Sequence, residues 1–199
     1  MLTINTIVVA LVIAQRLVEL RVSNRHQREL TAGGAQIVRD PVFGWMVITH
    51  ALLLTGSLLE PWLLARPFVP WIGWTALAVL VIAQALRIWV LRTLGRQWNV
   101  RIVASGEEGV VTSGPYRYVR HPNYAIVLVE AAVLPLFHCA FLTLVVVQLL
   151  HIPVLAARIR AEERYLMSLE SYREKMADKP RLLPRFRPHR EHQSTKAAR

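Results

Sequence analysis

The sequence predicts an all-α, polytopic membrane protein of about five transmembrane helices with a cytoplasmic C-terminal amphipathic helix. Three observations predict it. Of the 199 residues, 54% are hydrophobic and only 19% charged, against about 45–50% and about 25% in a soluble domain. The apolar residues gather in long runs separated by basic segments. The Lys and Arg residues outside those runs number 0, 4, 1, 5, 0 and 12 from the N-terminus through four loops to the C-terminal region, an alternation that follows the positive-inside rule.

The runs are 2–20, 43–64, 69–91, 125–137 and 140–155. The first three approach or exceed the ~20 residues needed to cross a hydrocarbon core. The last two are short and divided only by His138 and Cys139, with Pro135 just before, which predicts a tight helical hairpin. The first run lacks a basic leader and a small-residue cleavage site, and Arg16 and Glu19 lie in its second half, so it reads as a span and not as a signal peptide. Residues 156–177 predict the cytoplasmic helix, residues 1–184 one membrane-embedded domain, and residues 185–199 a basic disordered tail. The charge count places the N-terminus outside and the C-terminus inside a cell's inner (plasma) membrane.

The net charge of +11 suits cytoplasmic loops lying on anionic membrane lipids. No basic platform interleaved with aromatic residues is present, which argues against nucleic acid. The single cysteine, Cys139, excludes an internal disulfide and a thiolate zinc cage and reads as a small core residue. No histidine pair falls in an apolar run at metal-ligand spacing, so no metal is expected.

Two strings carry chemistry. The first, Thr112 to Tyr124, reads TSGPYRYVRHPNY. Ser113-Gly114-Pro115 is a turn signal, and Pro122 starts the fourth helix. Free backbone N–H groups there suit an anionic ligand, although the same string also fits a basic loop anchored by tyrosines at the interface. The second string is Arg158-Ile-Arg-Ala-Glu162-Glu163. Arg158, Glu162, Tyr165, Leu169 and Tyr172 fall on one helical stripe that can line a pocket at the membrane surface; an ordinary charge pair on an interfacial helix would show the same spacing. Arg87 and Glu130 lie inside apolar runs, where ionisable groups are costly, and could pair with each other. His151 and Gln148 are weaker cases of the same kind, and His50 reads as a satisfied bundle histidine.

Together, Gly114-Pro-Tyr-Arg-Tyr-Val-Arg-His-Pro-Asn-Tyr124, Arg158-Ile-x-x-Glu162-Glu163, Tyr172 and Arg181-x-x-Pro184 resemble the isoprenylcysteine carboxyl methyltransferase family of integral membrane methyltransferases. The resemblance implies an S-adenosylmethionine pocket formed by Tyr116, His121, Pro122, Asn123, Tyr124 and Glu162, with Gly109, Val110 and Val111 beside it. It implies Arg158 on the substrate side and a lipid-like acceptor entering from the bilayer. Ile126 stands where the family often has glycine. That variant, with Gly95-x-x-Trp98-Asn99 upstream, is similar to a small bacterial branch that methylates a hydroxyl of alkylpyrones or alkylresorcinols. A carboxylate or an ionised enol needs no base, whereas a phenol does, and Glu130 or His151 could serve. Other expectations are methylation of a prenylcysteine carboxylate or of a phospholipid amine, or a non-catalytic membrane sensor of lipids or nucleotides.

Overall fold

The computed structural model describes residues 1–104 and 110–184. The expected Gly109 contact and the expected tail of 185–199 lie outside the described residues. Helices α1 (Leu2–Ala32), α2 (Phe43–Leu63), α3 (Pro70–Leu94), α4 (Pro122–Leu136), α5 (Phe141–Leu166) and α6 (Glu170–Met176) dominate. Among the described residues the only sheet is an antiparallel pair, β1 (Gln36–Ile37) and β2 (Val103–Ala104).

The chain is an all-α polytopic membrane protein. α1, α2, α3 and α5 are long and apolar enough to cross a bilayer. α4 is a shorter apolar helix of 15 residues. Large apolar side chains such as Leu11, Trp71 and Leu149 stay exposed on the outer faces, a cost in water and none in lipid. Inside the bundle, Val9, Leu53, Leu80, Ala131, Leu134 and Val147 form one buried cluster. Gly56 lets α2 and α5 approach closely: a Cβ there would come within 2.5 Å of Thr143.

The loops sort to two ends. At one end, Phe68 before α3 packs on Phe137 and His138 of the α4–α5 hairpin, with ring centroids 6.0 and 5.6 Å apart. The hairpin is as tight as the sequence suggests. The Ala140 N–H donates to the Pro135 carbonyl at 2.9 Å, and the buried Cys139 makes the reversal at φ 56°. The Glu60 carboxylate, which the sequence did not single out, accepts the Leu142 and Thr143 N–H groups at 3.1 and 2.7 Å and so caps α5.

At the other end sit the arginine-rich loops. β1 from loop one pairs with β2 from loop three. α1 continues past its expected end at residue 20 to Ala32, because helix-forming residues run on until Gly33-Gly34. The extension anchors loop three: Ser23 Oγ accepts the Val100 N–H at 2.8 Å, and His26 Nδ1 lies 3.0 Å from the Trp98 carbonyl. The helix expected over 156–177 is two pieces. Residues up to Leu166 prolong α5, and the chain breaks at Met167–Leu169 before α6.

Candidate active site

A cavity of about 160 Å³ opens at the arginine-rich end, between loop three, the start of α4, the end of α5 and α6. Both chemical strings of the sequence meet there. Val110, Val111, Tyr116, His121, Asn123 and Tyr124 line it from one side, and Arg158, Glu162, Tyr165, Leu169 and Tyr172 from the other. The break between α5 and α6 does not dissolve the predicted stripe; it folds the last two members back over the same space. Pro122 is absent from the lining and acts as the first residue of α4.

Glu130 lies elsewhere. It faces a second, much smaller cavity with Arg16, His50 and Gln84, deeper in the bundle. It pairs with Arg16 and lies 3.5 Å from Arg87. Arg87 pairs chiefly with Glu19, through its Nε at 2.8 Å and its Nη2 at 2.7 Å. The expected Arg87–Glu130 pair is thus one contact of a four-residue ionic cluster, completed by Arg16–Glu19 at 2.8 Å. His151 is buried beside His50, with ring centroids 5.0 Å apart, and neither His151 nitrogen has a hydrogen-bond partner among the described residues. His50 is satisfied, its Nδ1 lying 2.8 Å from the Met46 carbonyl. Neither histidine lines the larger cavity.

Within that cavity the polar groups are mutually fixed. Tyr124 Oη donates to the Glu162 carboxylate and accepts from Arg158 Nε at 3.0 Å. Arg158 also donates to the Asp40 carboxylate and to the Val100 carbonyl. Asp40 sits in loop one, 118 positions away, which is why sequence spacing did not reveal it. His121 Nε2 lies 3.1 Å from Glu163, and the same carboxylate pairs with Arg120 at 3.4 Å and with Arg181 at 2.7 Å. This explains the Arg181-x-x-Pro184 signal. The segment after α6 returns across the site, where the carbonyls of Pro180 and Arg181 accept the N–H groups of Arg120 and His121, each at 2.9 Å. Lys179 Nζ donates to the Tyr116 carbonyl at 2.8 Å.

Burial, reinforced by the nearby Glu162 carboxylate, raises the Tyr116 and Tyr172 phenols above their ordinary range. Both are therefore protonated at neutral pH, each with an O–H available to donate to a ligand. Tyr172 Oη, Asn99 Oδ1 and Arg120 Nε are buried without a partner among the described residues, and all three residues line the cavity. A ligand carrying both donors and acceptors would satisfy them. The lining adds a carboxylate, arginines, phenols and apolar walls from Leu94, Leu166 and Met176. That set can hold a ligand with both polar and apolar parts.

Comparison with known proteins agrees. The model of the isoprenylcysteine carboxyl methyltransferase family matches residues 74–168. The chain is 29% identical to the uncharacterized protein YpbQ of Bacillus subtilis (strain 168), over 80% of this chain and 95% of that one. It is 32% identical to an uncharacterized protein of Haemophilus influenzae, over 85% and 98%. It is 30% identical to a rice (Oryza sativa subsp. indica) protein named "Probable protein-S-isoprenylcysteine O-methyltransferase", over 70% and 72%. With the family's residue strings gathered around one cavity at the end of a membrane bundle, the chain belongs to the isoprenylcysteine carboxyl methyltransferase family and is a membrane methyltransferase.

Proposed function

We propose that this protein is an S-adenosylmethionine-dependent O-methyltransferase that methylates a lipid-like acceptor at the cytoplasmic face of the membrane. The observation that carries the reading is the convergence of the Tyr116–Tyr124 and Arg158–Tyr172 strings on one cavity whose wall retains buried polar atoms without a partner among the described residues. Glu162, His121, Asn123 and the phenols of Tyr116 and Tyr172 would hold the cofactor between Val110-Val111 and the apolar residues of α5 and α6. When bound, the cofactor supplies an electrophilic methyl group on a sulfonium. The chain's own contribution is to fix donor and acceptor at attack distance, exclude water and govern the acceptor's charge.

Arg158 stands one helical turn nearer the bilayer than Glu162, so an acceptor arriving from the lipid meets it first. The hydroxyl of an alkylpyrone or alkylresorcinol is our reading of the acceptor. The rice relative's name supports a second reading, the carboxylate of a prenylated cysteine. Isothermal titration of detergent-purified protein with S-adenosylhomocysteine tests the function. Saturable binding is expected, and its absence from folded protein overturns the methyltransferase site in favour of a lipid sensor.

A further inference from the structure

The acceptor end of the cavity carries an arginine whose charge is already answered. Arg158 is 3% exposed, and its partner Asp40 has a side chain only 5% exposed. The aspartate comes from outside the two family strings, in loop one, two residues after Val38 bonds to the Ile102 carbonyl at 2.9 Å. Asp40 is itself fixed, since its Oδ1 accepts the Val42 N–H at 3.1 Å at the entrance to α2. Arg158 Nε is engaged by Tyr124 and Nη2 by the Val100 carbonyl. Each Nη has a second N–H, so the guanidinium can still donate a hydrogen bond into the cavity that it lines. The Arg158–Asp40 pair therefore offers an acceptor a directional donor without a net positive charge.

We infer that Asp40 is a specificity-determining residue: by pairing with Arg158 it makes the acceptor end of the cavity select a neutral hydroxyl and reject a carboxylate. The inference deepens the methyltransferase reading and rests on it. A carboxylate placed against Arg158 would have to share that guanidinium with the buried Asp40 carboxylate behind the cavity wall, in a water-poor site where like charges are strongly disfavoured. A phenol meets no such repulsion. An ionised enol falls on the rejected side, so among the hydroxyl acceptors the pair favours a resorcinol over a pyrone.

A neutral hydroxyl must lose its proton, and the site provides a route that Glu130 and His151 do not. The acceptor hydroxyl donates to Tyr124 Oη as Tyr124 passes its own proton to the Glu162 carboxylate, the bond the two residues already make. The acceptor oxygen forms its bond to the methyl carbon while the carbon–sulfur bond breaks and leaves its electron pair on sulfur. Glu162 ends as a carboxylic acid in the step that consumes the sulfonium charge. One cation and one anion vanish together, so the buried site has the same net charge before and after transfer. Glu162 then returns its proton to water.

The test uses full-length protein in lipid nanodiscs and two probes of equal chain length, an alkylresorcinol and a fatty carboxylate. Binding is measured without cofactor, and methyl transfer separately. Wild-type protein should bind the resorcinol at least about tenfold more tightly, a difference of about 1.4 kcal/mol. Asp40→Asn should erase or invert that ratio by strengthening carboxylate binding. Wild-type preference for the carboxylate, or an unchanged ratio in a folded Asp40→Asn variant, overturns the inference. Should the variant fail to fold, the wild-type ratio still decides. Tyr124→Phe should cut kcat with the resorcinol by about a hundredfold, within the range of general-base contributions. Retained turnover in Tyr124→Phe overturns the proton route. Loss of S-adenosylhomocysteine binding by the wild-type protein would instead overturn the methyltransferase reading, and the Asp40 inference with it.

Discussion

His121 and Glu163, 42 positions apart in the chain, meet in a buried hydrogen bond of 3.1 Å. That bond joins the start of α4 to the end of α5, and Arg120 and Arg181 close on the same carboxylate. Glu163 is thus a positioning residue for His121, which lines the cavity. Glu163→Ala should destabilise the protein by about 3 kcal/mol, because removing one partner of a buried ion pair leaves the others uncompensated. Arg181→Ala should cost less, since Arg181 is 58% exposed and water already screens its charge. Thermal unfolding in detergent measures both. Equal effects for the two variants would mean that the clasp is not centred on Glu163.

Glu162 and Arg158 both serve methyl transfer, but they should separate in cofactor affinity. Glu162→Gln removes the cavity-lining carboxylate at the centre of the proposed cofactor contacts. Loss of a charged hydrogen bond is worth about 1.5–3 kcal/mol, so S-adenosylhomocysteine affinity should fall on the order of tenfold to a hundredfold. Arg158→Ala should leave that affinity within a few-fold and depress methyl transfer instead. If the two residues formed only a helical i,i+4 pair, each change would cost about 0.2–0.5 kcal/mol and leave both measurements untouched.

The helices and most of the cavity were legible in the sequence for a physical reason. Apolar runs, a hairpin signal at Pro135–Cys139 and the Arg158–Tyr172 stripe are local patterns, and local patterns survive without coordinates. Asp40, Glu163 and Glu60 were not singled out as carboxylates with a task, because their partners lie on other elements. The α5–α6 break was also invisible: Met167-Ser168-Leu169 contains neither glycine nor proline. Arg87 and Glu130 were conspicuous as charges in apolar runs, but the residues that neutralise them, Glu19 and Arg16, sit on α1, and only the packing reveals the assignment.

The proposed orientation in the membrane rests on the arginine count together with the gathering of loops one and three at one end. Single cysteines can test it in a Cys139→Ala background. Arg28→Cys and Arg96→Cys lie at the arginine-rich end, and Ala65→Cys follows α2 at the opposite end; all three positions are exposed. An impermeant maleimide applied to intact cells should label position 65 and spare 28 and 96. The reverse pattern would invert the topology and put the cavity outside the cell.

The ionic cluster inside the bundle allows a sharper test of what holds the helices together. Arg16 and Glu19 of α1, Arg87 of α3 and Glu130 of α4 form two cations against two carboxylates, with Gln15 bridging Glu19 and Gln84 at 2.9 and 2.8 Å. Ionisable groups inside a bilayer are tolerated where they are paired and face the bundle interior. Arg87→Met leaves two carboxylates to share Arg16 and should destabilise the protein by about 3–5 kcal/mol. It also removes the 3.4 Å contact from Arg87 Nη1 to Asn123, which lines the larger cavity, so cofactor affinity should weaken slightly. Adding Glu19→Gln to Arg87→Met restores the balance to one cation and one carboxylate, Arg16 and Glu130, which are already paired. The double variant should therefore recover most of the lost stability while keeping the weaker cofactor binding, since Asn123 still lacks its arginine. Unfolding midpoints and S-adenosylhomocysteine titrations of the wild type, both single variants and the double variant decide the matter. Additive losses in stability would show that Glu19 and Arg87 act independently and that charge balance does not govern the cluster.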